Sequence, residues 1–194
     1  DNINIQINTP PNAPTLSLSP VPVTGADVLT VNIASGGDDD GDPVSHTVEW
    51  FKNGTLQSNT GNSIPASDLT FGDIWLARVT PNDGYTDGTA TEISIVVSNS
   101  LPTVTTPVIT SSDGSVYNDS TLTCSTTASD ADETLTPSYS WNINGSTYTG
   151  ASLDLSTLSV NTTDTISCST SVTDSQGASA TDSTIVSVTN RAPV

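Results

Sequence analysis

The stretch VEWFKNG, Val48 to Gly54, reads as the end of one strand and the turn into the next. Val48 and Trp50 flank polar Glu49 with the period of two that a half-buried strand requires, and Asn53-Gly54 is a strong short-range signal for a tight turn. At a shift of 91 residues (141 − 50) the chain repeats it as YSWNING, Tyr139 to Gly145, with Trp141 in the place of Trp50 and Gly145 in that of Gly54. The same shift carries Asp73 to Asp164, Asp83 to Asp174, Asn99 to Asn190 and Pro102 to Pro193. That self-similarity predicts two copies of one module. The expected parts are an N-terminal strand and linker over residues 1–12, a first domain over 13–101 and a second over 102–194, with short proline-stiffened joints NAP, NSLP and NRAP.

Outward from the two tryptophans, period-2 runs separated by turn residues recur about every ten residues, the spacing of a sandwich rather than of alternating strands and helices. The first copy offers VLTVNIA, VSHTVEWFK, SIPASDL, DIWLARV and TEISIVVS; the second offers STLTCST, PSYSWNI, ASLDLSTL, DTISCSTSV and ATDSTIVSV. Alternation turns Leu29, Val31, Ile33, Val48, Trp50, Trp75, Ala77 and Val79 inward in the first, and Tyr139, Trp141 and Ile143 in the second. Ser and Thr make up about a third of the chain and Met is absent, a composition that fits strands and turns and leaves little room for helix.

The net charge of −18, from 21 acidic residues against three Lys plus Arg, excludes nucleic acid and anionic membranes as natural partners and favours cations. No run of about 18 apolar residues occurs, and no basic-then-apolar signal opens the chain. A soluble chain is expected, with any signal or anchor outside this sequence.

In the second copy Cys124, Trp141 and Cys168 follow one another in that order. This resembles the immunoglobulin arrangement, in which a strand B cysteine bonds a strand F cysteine against a strand C tryptophan. The resemblance implies a Cys124–Cys168 disulfide and hence an oxidising compartment, two buried free thiols being the alternative. The first copy has Ile33 and Ala77 at the matching positions, so apolar packing alone must serve there.

The strings VEWFKNG and YSWNING, the acidic DDDGD and DADE loops and the run DxxxxRVTPNDG from Asp73 resemble tandem immunoglobulin-like modules of bacterial and archaeal surface proteins, the broad group of PKD-type and cadherin-like domains. The resemblance covers both copies. It implies an all-β fold of two tandem immunoglobulin-like Greek-key β-sandwiches with an extra N-terminal strand, at an extracellular or cell-surface location. Such modules serve as spacers, adhesins, filament subunits and appendages of secreted enzymes.

In such a sandwich the B–C and F–G loops emerge where the chain enters the module. GGDDDGDPV, Gly36 to Val44, is the first copy's B–C loop, and PNDGYTDG, Pro81 to Gly88, its F–G loop. Asp38, Asp40 and Asp42 are therefore expected to converge on Asp83 and Asp87; in the second copy Asp130, Asp132 and Glu133 are expected to face Asp174. Calcium takes six to eight oxygens from such flexible carboxylates, carbonyls and water. Zinc and copper are disfavoured because His46 is the only histidine and reads as a half-exposed strand residue. Ca2+ is the expected cofactor, solvated acidic turns the alternative. Asp73 and Asn99 are further candidate ligands for an ion at the joint between modules, which would stiffen a rod.

Residues 1–9, DNINIQINT, alternate Ile3, Ile5 and Ile7 with polar neighbours. They read as the last strand of a preceding module, as a strand donated to a second subunit, or as an extension of the first domain's own strand A. No nucleophile–base pair, GxSxG motif or phosphate loop is present, so an enzyme is not expected. A Lys–Asn crosslink could form only through Lys52.

The function expected is a non-enzymatic structural or adhesive module rigidified by calcium, partnered by neighbouring modules or subunits and by a surface glycan or protein. One alternative is a calcium-dependent carbohydrate-binding accessory module, for which Phe51, Phe71, Tyr85 and Tyr148 are the candidate aromatics, Tyr85 best placed in the F–G loop. Another is a filament subunit joined by its N-terminal strand. Four sequons, at Asn53, Asn118, Asn144 and Asn161, are candidate glycosylation sites, although Asn53 and Asn144 also belong to the turns above.

Overall fold

The computed structural model describes residues 7–191 of the 194-residue chain. It is all-β, relieved by two single-turn 3-10 segments, Ala66–Asp68 and Leu155–Thr157. No helix among the described residues is long and apolar enough to cross a membrane. The chain divides into two compact units, Asp1–Ser100 and Leu101–Val194, each an immunoglobulin-like sandwich.

The first unit contains β1 (Thr15–Ser19), β2 (Val23–Thr24), β3 (Leu29–Ala34), β4 (Ser45–Lys52), β5 (Thr55–Leu56), β6 (Ser63–Ile64), β7 (Ile74–Asn82) and β8 (Thr91–Ser98). One sheet has the order β1-β3-β6 and the other β2-β8-β7-β4-β5, the two layers of a Greek-key sandwich. Among the described residues of this unit only β2 runs parallel to its neighbour, pairing Val23 with Val97. Alternation along the strands decides which side chains are covered. Leu29, Val31 and Ile64 from one sheet meet Val48, Trp50, Trp75, Ala77 and Val79 from the other, all buried, while Ile33 is partly buried against them. Trp50 and Trp75 meet edge to face, with centroids 6.2 Å apart and planes at 77°.

Each buried Val or Leu contributes roughly 1.5–3 kcal/mol. On the outer face Arg78 lies 2.7 Å from Glu92 and 3.9 Å from Glu49, exposed pairs worth roughly 0–1 kcal/mol. Packing, not charge, therefore holds the unit together.

The second unit contains β9 (Thr103–Val104), β10 (Val108–Ser111), β11 (Thr121–Ser125), β12 (Ala128–Ser129), β13 (Ser138–Ile143), β14 (Ser146–Thr149), β15 (Ser152–Asp154), β16 (Thr165–Thr173) and β17 (Ser179–Ser187). Its sheets are β10-β11-β15 and β14-β13-β16-β17, with the short pair β12-β9 beside them. Cys124 on β11 is bonded to Cys168 on β16, joining the two sheets 44 residues apart in sequence. Trp141 pairs with Cys168, as Trp50 pairs with Ala77 in the first unit.

Both hairpins turn where the sequence says they must. Asn53 and Gly54 have φ of 51° and 82°, and Asn144 and Gly145 have 49° and 87°. Two successive left-handed residues match the twist of the flanking strands, which is why Asn-Gly is favoured there.

The N-terminal strand expected over residues 1–9 does not include Ile7. Residues 7–14 carry no strand, and Ile7 is 78% exposed. Ile3 and Ile5 lie outside the described residues.

Candidate metal centre and its loops

The loop between β3 and β4 is curled around its first carboxylate. Asp38 Oδ1 accepts from the backbone N–H groups of Asp40 at 2.8 Å and Asp42 at 3.3 Å, a turn that Asp makes readily because its short side chain reaches its own backbone. Gly37 and Gly41, at φ 76° and 83°, supply the left-handed steps that the curl needs. The result brings one carboxylate oxygen each from Asp38, Asp40 and Asp42 within 4.8 Å of one another.

Like charges about 4 Å apart repel by roughly 1 kcal/mol in bulk water and several times that near a protein surface. A divalent cation turns that repulsion into attraction. Asp38 Oδ2 is moreover buried without a hydrogen-bond partner, and an ionised oxygen withdrawn from water requires a compensating charge. The donors are all hard carboxylate oxygens, so they fit calcium and not a thiophilic or imidazole-seeking metal.

Asp83 and Asp87 stand outside that group of three. Asp83, only 5% exposed, accepts at Oδ1 from the N–H groups of Tyr85 and Thr86, both at 2.7 Å, and at Oδ2 from Asn8 Nδ2 at 3.0 Å. Donation by the Thr86 backbone, opposed by burial and supported by Asn8 and Tyr85, holds its carboxyl below the ordinary value. Asp87 Oδ1 accepts from Asn82 Nδ2 at 2.7 Å. Both acids find donors within their own loop or the N-terminal segment.

Residues 8–13 connect the two loops. Asn8 reaches Asp83 in one loop, whereas Thr9 donates from its backbone N and its Oγ1 to Asp40 Oδ2 in the other, at 2.6 and 2.8 Å. Asn12 donates from its backbone to the Gly37 carbonyl at 2.9 Å and from Nδ2 to Asp39 Oδ1 at 3.2 Å. The fit is close enough to dictate glycine on both loops. A Cβ at Gly88 would lie 2.1 Å from the Pro11 carbonyl oxygen, and one at Gly36 2.5 Å from that of Ala13. Sequence reasoning missed this bridge; Asn8, Thr9 and Asn12 in a proline-rich linker were its signal.

In the second unit the two loops meet directly. Glu133 Oε1 accepts from the backbone N and from the Oγ of Ser175, both at 2.7 Å. Asp130 Oδ1 accepts from the Asp132 N–H at 2.7 Å, and Asp174 Oδ1 from Gln176 at 3.0 Å and Ala178 at 2.7 Å. Among the described residues these four acids form no cluster of three comparable with Asp38, Asp40 and Asp42.

Asp73 is engaged by its own unit. It forms an ion pair with Lys52 at 2.7 Å and accepts from Asn53 Nδ2 at 2.8 Å. Burial works to raise its carboxyl, but Lys52 and Asn53 carry it below the ordinary value. Asn99, half-buried, follows β8. The Asn53 side chain also accepts from the Ile74 N–H at 2.9 Å, which commits both ends of that amide; Asn53, Asn118, Asn144 and Asn161 are all exposed.

Of the aromatics, Tyr85 is 79% exposed and Phe71 42% exposed; Phe51 is covered by the Arg78 guanidinium at 4.9 Å, and Tyr148 is half-buried. His46 is half-buried on β4.

No protein family matches the chain, and no curated protein does. Among solved structures it is similar to three N-terminal domains of the bacteriophage RB49 highly immunogenic outer capsid protein, at 15% identity over 91% of this chain and 58% of that one, with a TM-score of 0.36. It is also similar to part of a 1.5-MDa bacterial ice-binding adhesin, at 23% identity over 94% of this chain and 66% of that one, with a TM-score of 0.35. A Ca2+-stabilized ice-binding adhesin of an Antarctic bacterium matches at 20% identity over 94% and 49%, with a TM-score of 0.37. The chain thus spans about half to two thirds of the solved chains it matches. Likeness at this level says nothing about what the chain binds.

Proposed function

We propose that the chain is a non-enzymatic structural and adhesive module of the cell exterior, in which Asp38, Asp40 and Asp42 bind calcium. The observation that carries this reading is the buried, unpartnered Asp38 Oδ2 beside two further carboxylates within 4.8 Å. The disulfide adds support for an oxidising compartment.

Calcium would act on order rather than on chemistry. It would fix the curl of the 36–44 loop, and through the two Thr9 bonds to Asp40 it would hold the N-terminal segment on the loop. At ten times its dissociation constant one ion adds about 1.4 kcal/mol to stability. Thermal unfolding of the whole chain in calcium, in magnesium and in EDTA tests the reading. A rise in Tm with calcium that magnesium does not reproduce is expected, and identical curves in all three would overturn it.

A further inference from the structure

We infer that the cleft beside Trp75 in the first unit is a binding site for a neutral saccharide. The cleft has a volume of about 350 Å³ and is lined, among others, by Lys52, Gln57, Asn59, Asp68, Thr70 and Trp75. It is separate from the acidic loops, and its occupation needs no calcium.

Trp75 is 2% exposed, and its Nε1 is buried without a hydrogen-bond partner. That is not how this fold otherwise treats tryptophan. Trp50 donates from Nε1 to the Gly61 carbonyl and Trp141 to that of Gly150, both at 2.8 Å. At the 91-residue shift the counterpart of Trp75 is Ile166, fully buried and without a polar atom, so packing at this position does not call for an indole N–H. A buried donor left unpaired is rare and asks for an acceptor from outside the chain.

The wall sets the chemistry of that acceptor. The Lys52 ammonium sits 5.6 Å from the Trp75 ring centroid, donates to the Asp68 carbonyl at 2.9 Å and is ion-paired with Asp73 at 2.7 Å. Its charge is thereby neutralised, and the chain's net −18 repels anions. A lipid is disfavoured by a lining of amide, hydroxyl and carboxylate groups. Gln57 spends its Nε2 on the Thr55 carbonyl at 2.8 Å, which leaves its Oε1 for a ligand hydroxyl. Donors and acceptors side by side, with a buried indole N–H left unpaired among them, match a polyhydroxylated ligand.

The test uses the 15N-labelled whole chain and follows its three indole N–H signals, that of Trp75 assigned by its absence in Trp75→Phe. Methyl α-D-glucopyranoside, methyl α-D-mannopyranoside and methyl β-D-galactopyranoside are titrated to about 50 mM, above the millimolar affinity typical of a few weak hydrogen bonds, in calcium and again in EDTA. At least one glycoside is expected to shift the Trp75 signal saturably while those of Trp50 and Trp141 stay fixed, equally in both buffers. Gln57→Ala, at the rim, is expected to weaken that binding at least about fivefold with Tm unchanged. No saturable shift with any of the three, a shift with sodium acetate alone, or undiminished binding by folded Trp75→Phe would overturn the assignment.

Discussion

Thr9 donates twice to one carboxylate oxygen of Asp40, from its backbone N at 2.6 Å and from its Oγ1 at 2.8 Å. The segment at the start of the first unit and the acidic loop are thus one hydrogen-bonded body. If calcium orders the loop, it must order the segment too. Hydrogen exchange followed by mass spectrometry is expected to show peptides covering 8–12 and 36–42 gaining protection together on calcium addition, with residues of the second unit's loops unchanged. Protection of the loop alone would mean that the Thr9 contacts are incidental.

Gly88 marks how closely that segment is laid down. Its Cβ, if it had one, would meet the Pro11 carbonyl oxygen at 2.1 Å, and backbone cannot retreat as a side-chain tip can. Gly88→Ala is expected to cost about 1–3 kcal/mol, the range for overpacking a filled site. Denaturant melts of the first unit's transition measure it. A loss below about 0.5 kcal/mol, the scale of an ordinary surface change, would mean that the segment moves aside freely.

The first unit's acid limb is expected to depend on Asp83. Its folded carboxyl is held below the ordinary 3.8 by the Thr86 and Tyr85 N–H groups and Asn8, so its contribution is present above the unfolded value and is lost as pH falls through the lower folded one. Asp83→Asn should therefore lower Tm at neutral pH, and its deficit relative to the parent should shrink as the pH drops below 3.8. Tm measured against pH for both chains checks this. A deficit that grows on acidification would reverse the sign of the linkage.

Replacing Cys124 and Cys168 by alanine opens a loop of 44 residues in sequence separation. Loop closure over that span is worth at most about 4 kcal/mol, less whatever structure the unfolded chain retains. Two-transition denaturation curves should lose stability only in the second unit, because the first holds the corresponding position with Ile33 and Ala77. Equal losses in both transitions would contradict the division of the core into two.

The fold was legible because its signals are local. Trp50 and Trp141 sit before Asn-Gly turns whose left-handed φ values the dipeptide favours, and Trp75, Ala77 and Val79 alternate inward as a strand must. The sandwich pattern also announced which loops carry acid. It did not say which acids would be brought together. Asp83 and Asp38 look alike in sequence, yet Asp83 is taken by Tyr85, Thr86 and Asn8, a partner 75 residues away. Nor could spacing foresee that Lys52 would draw Asp73 into an ion pair, since that pairing depends on the register of β4 against β7, where Lys52 stands opposite Trp75. Alternation in residues 1–9 also gave no hint that Asn8 and Thr9 would bind loop carboxylates; among the described residues, 7–9 carry no strand.

The most direct test of the central claim is a calcium titration by isothermal calorimetry of the parent chain and of Asp38→Asn, which keeps the size of the side chain and an Oδ1 acceptor but removes its charge. The parent is expected to bind with a Kd of about 0.1–1 mM, the range of extracellular modules, and the variant at least about tenfold more weakly with its fold intact by circular dichroism. Equal binding by both chains, or no binding by the parent at millimolar calcium, would contradict it.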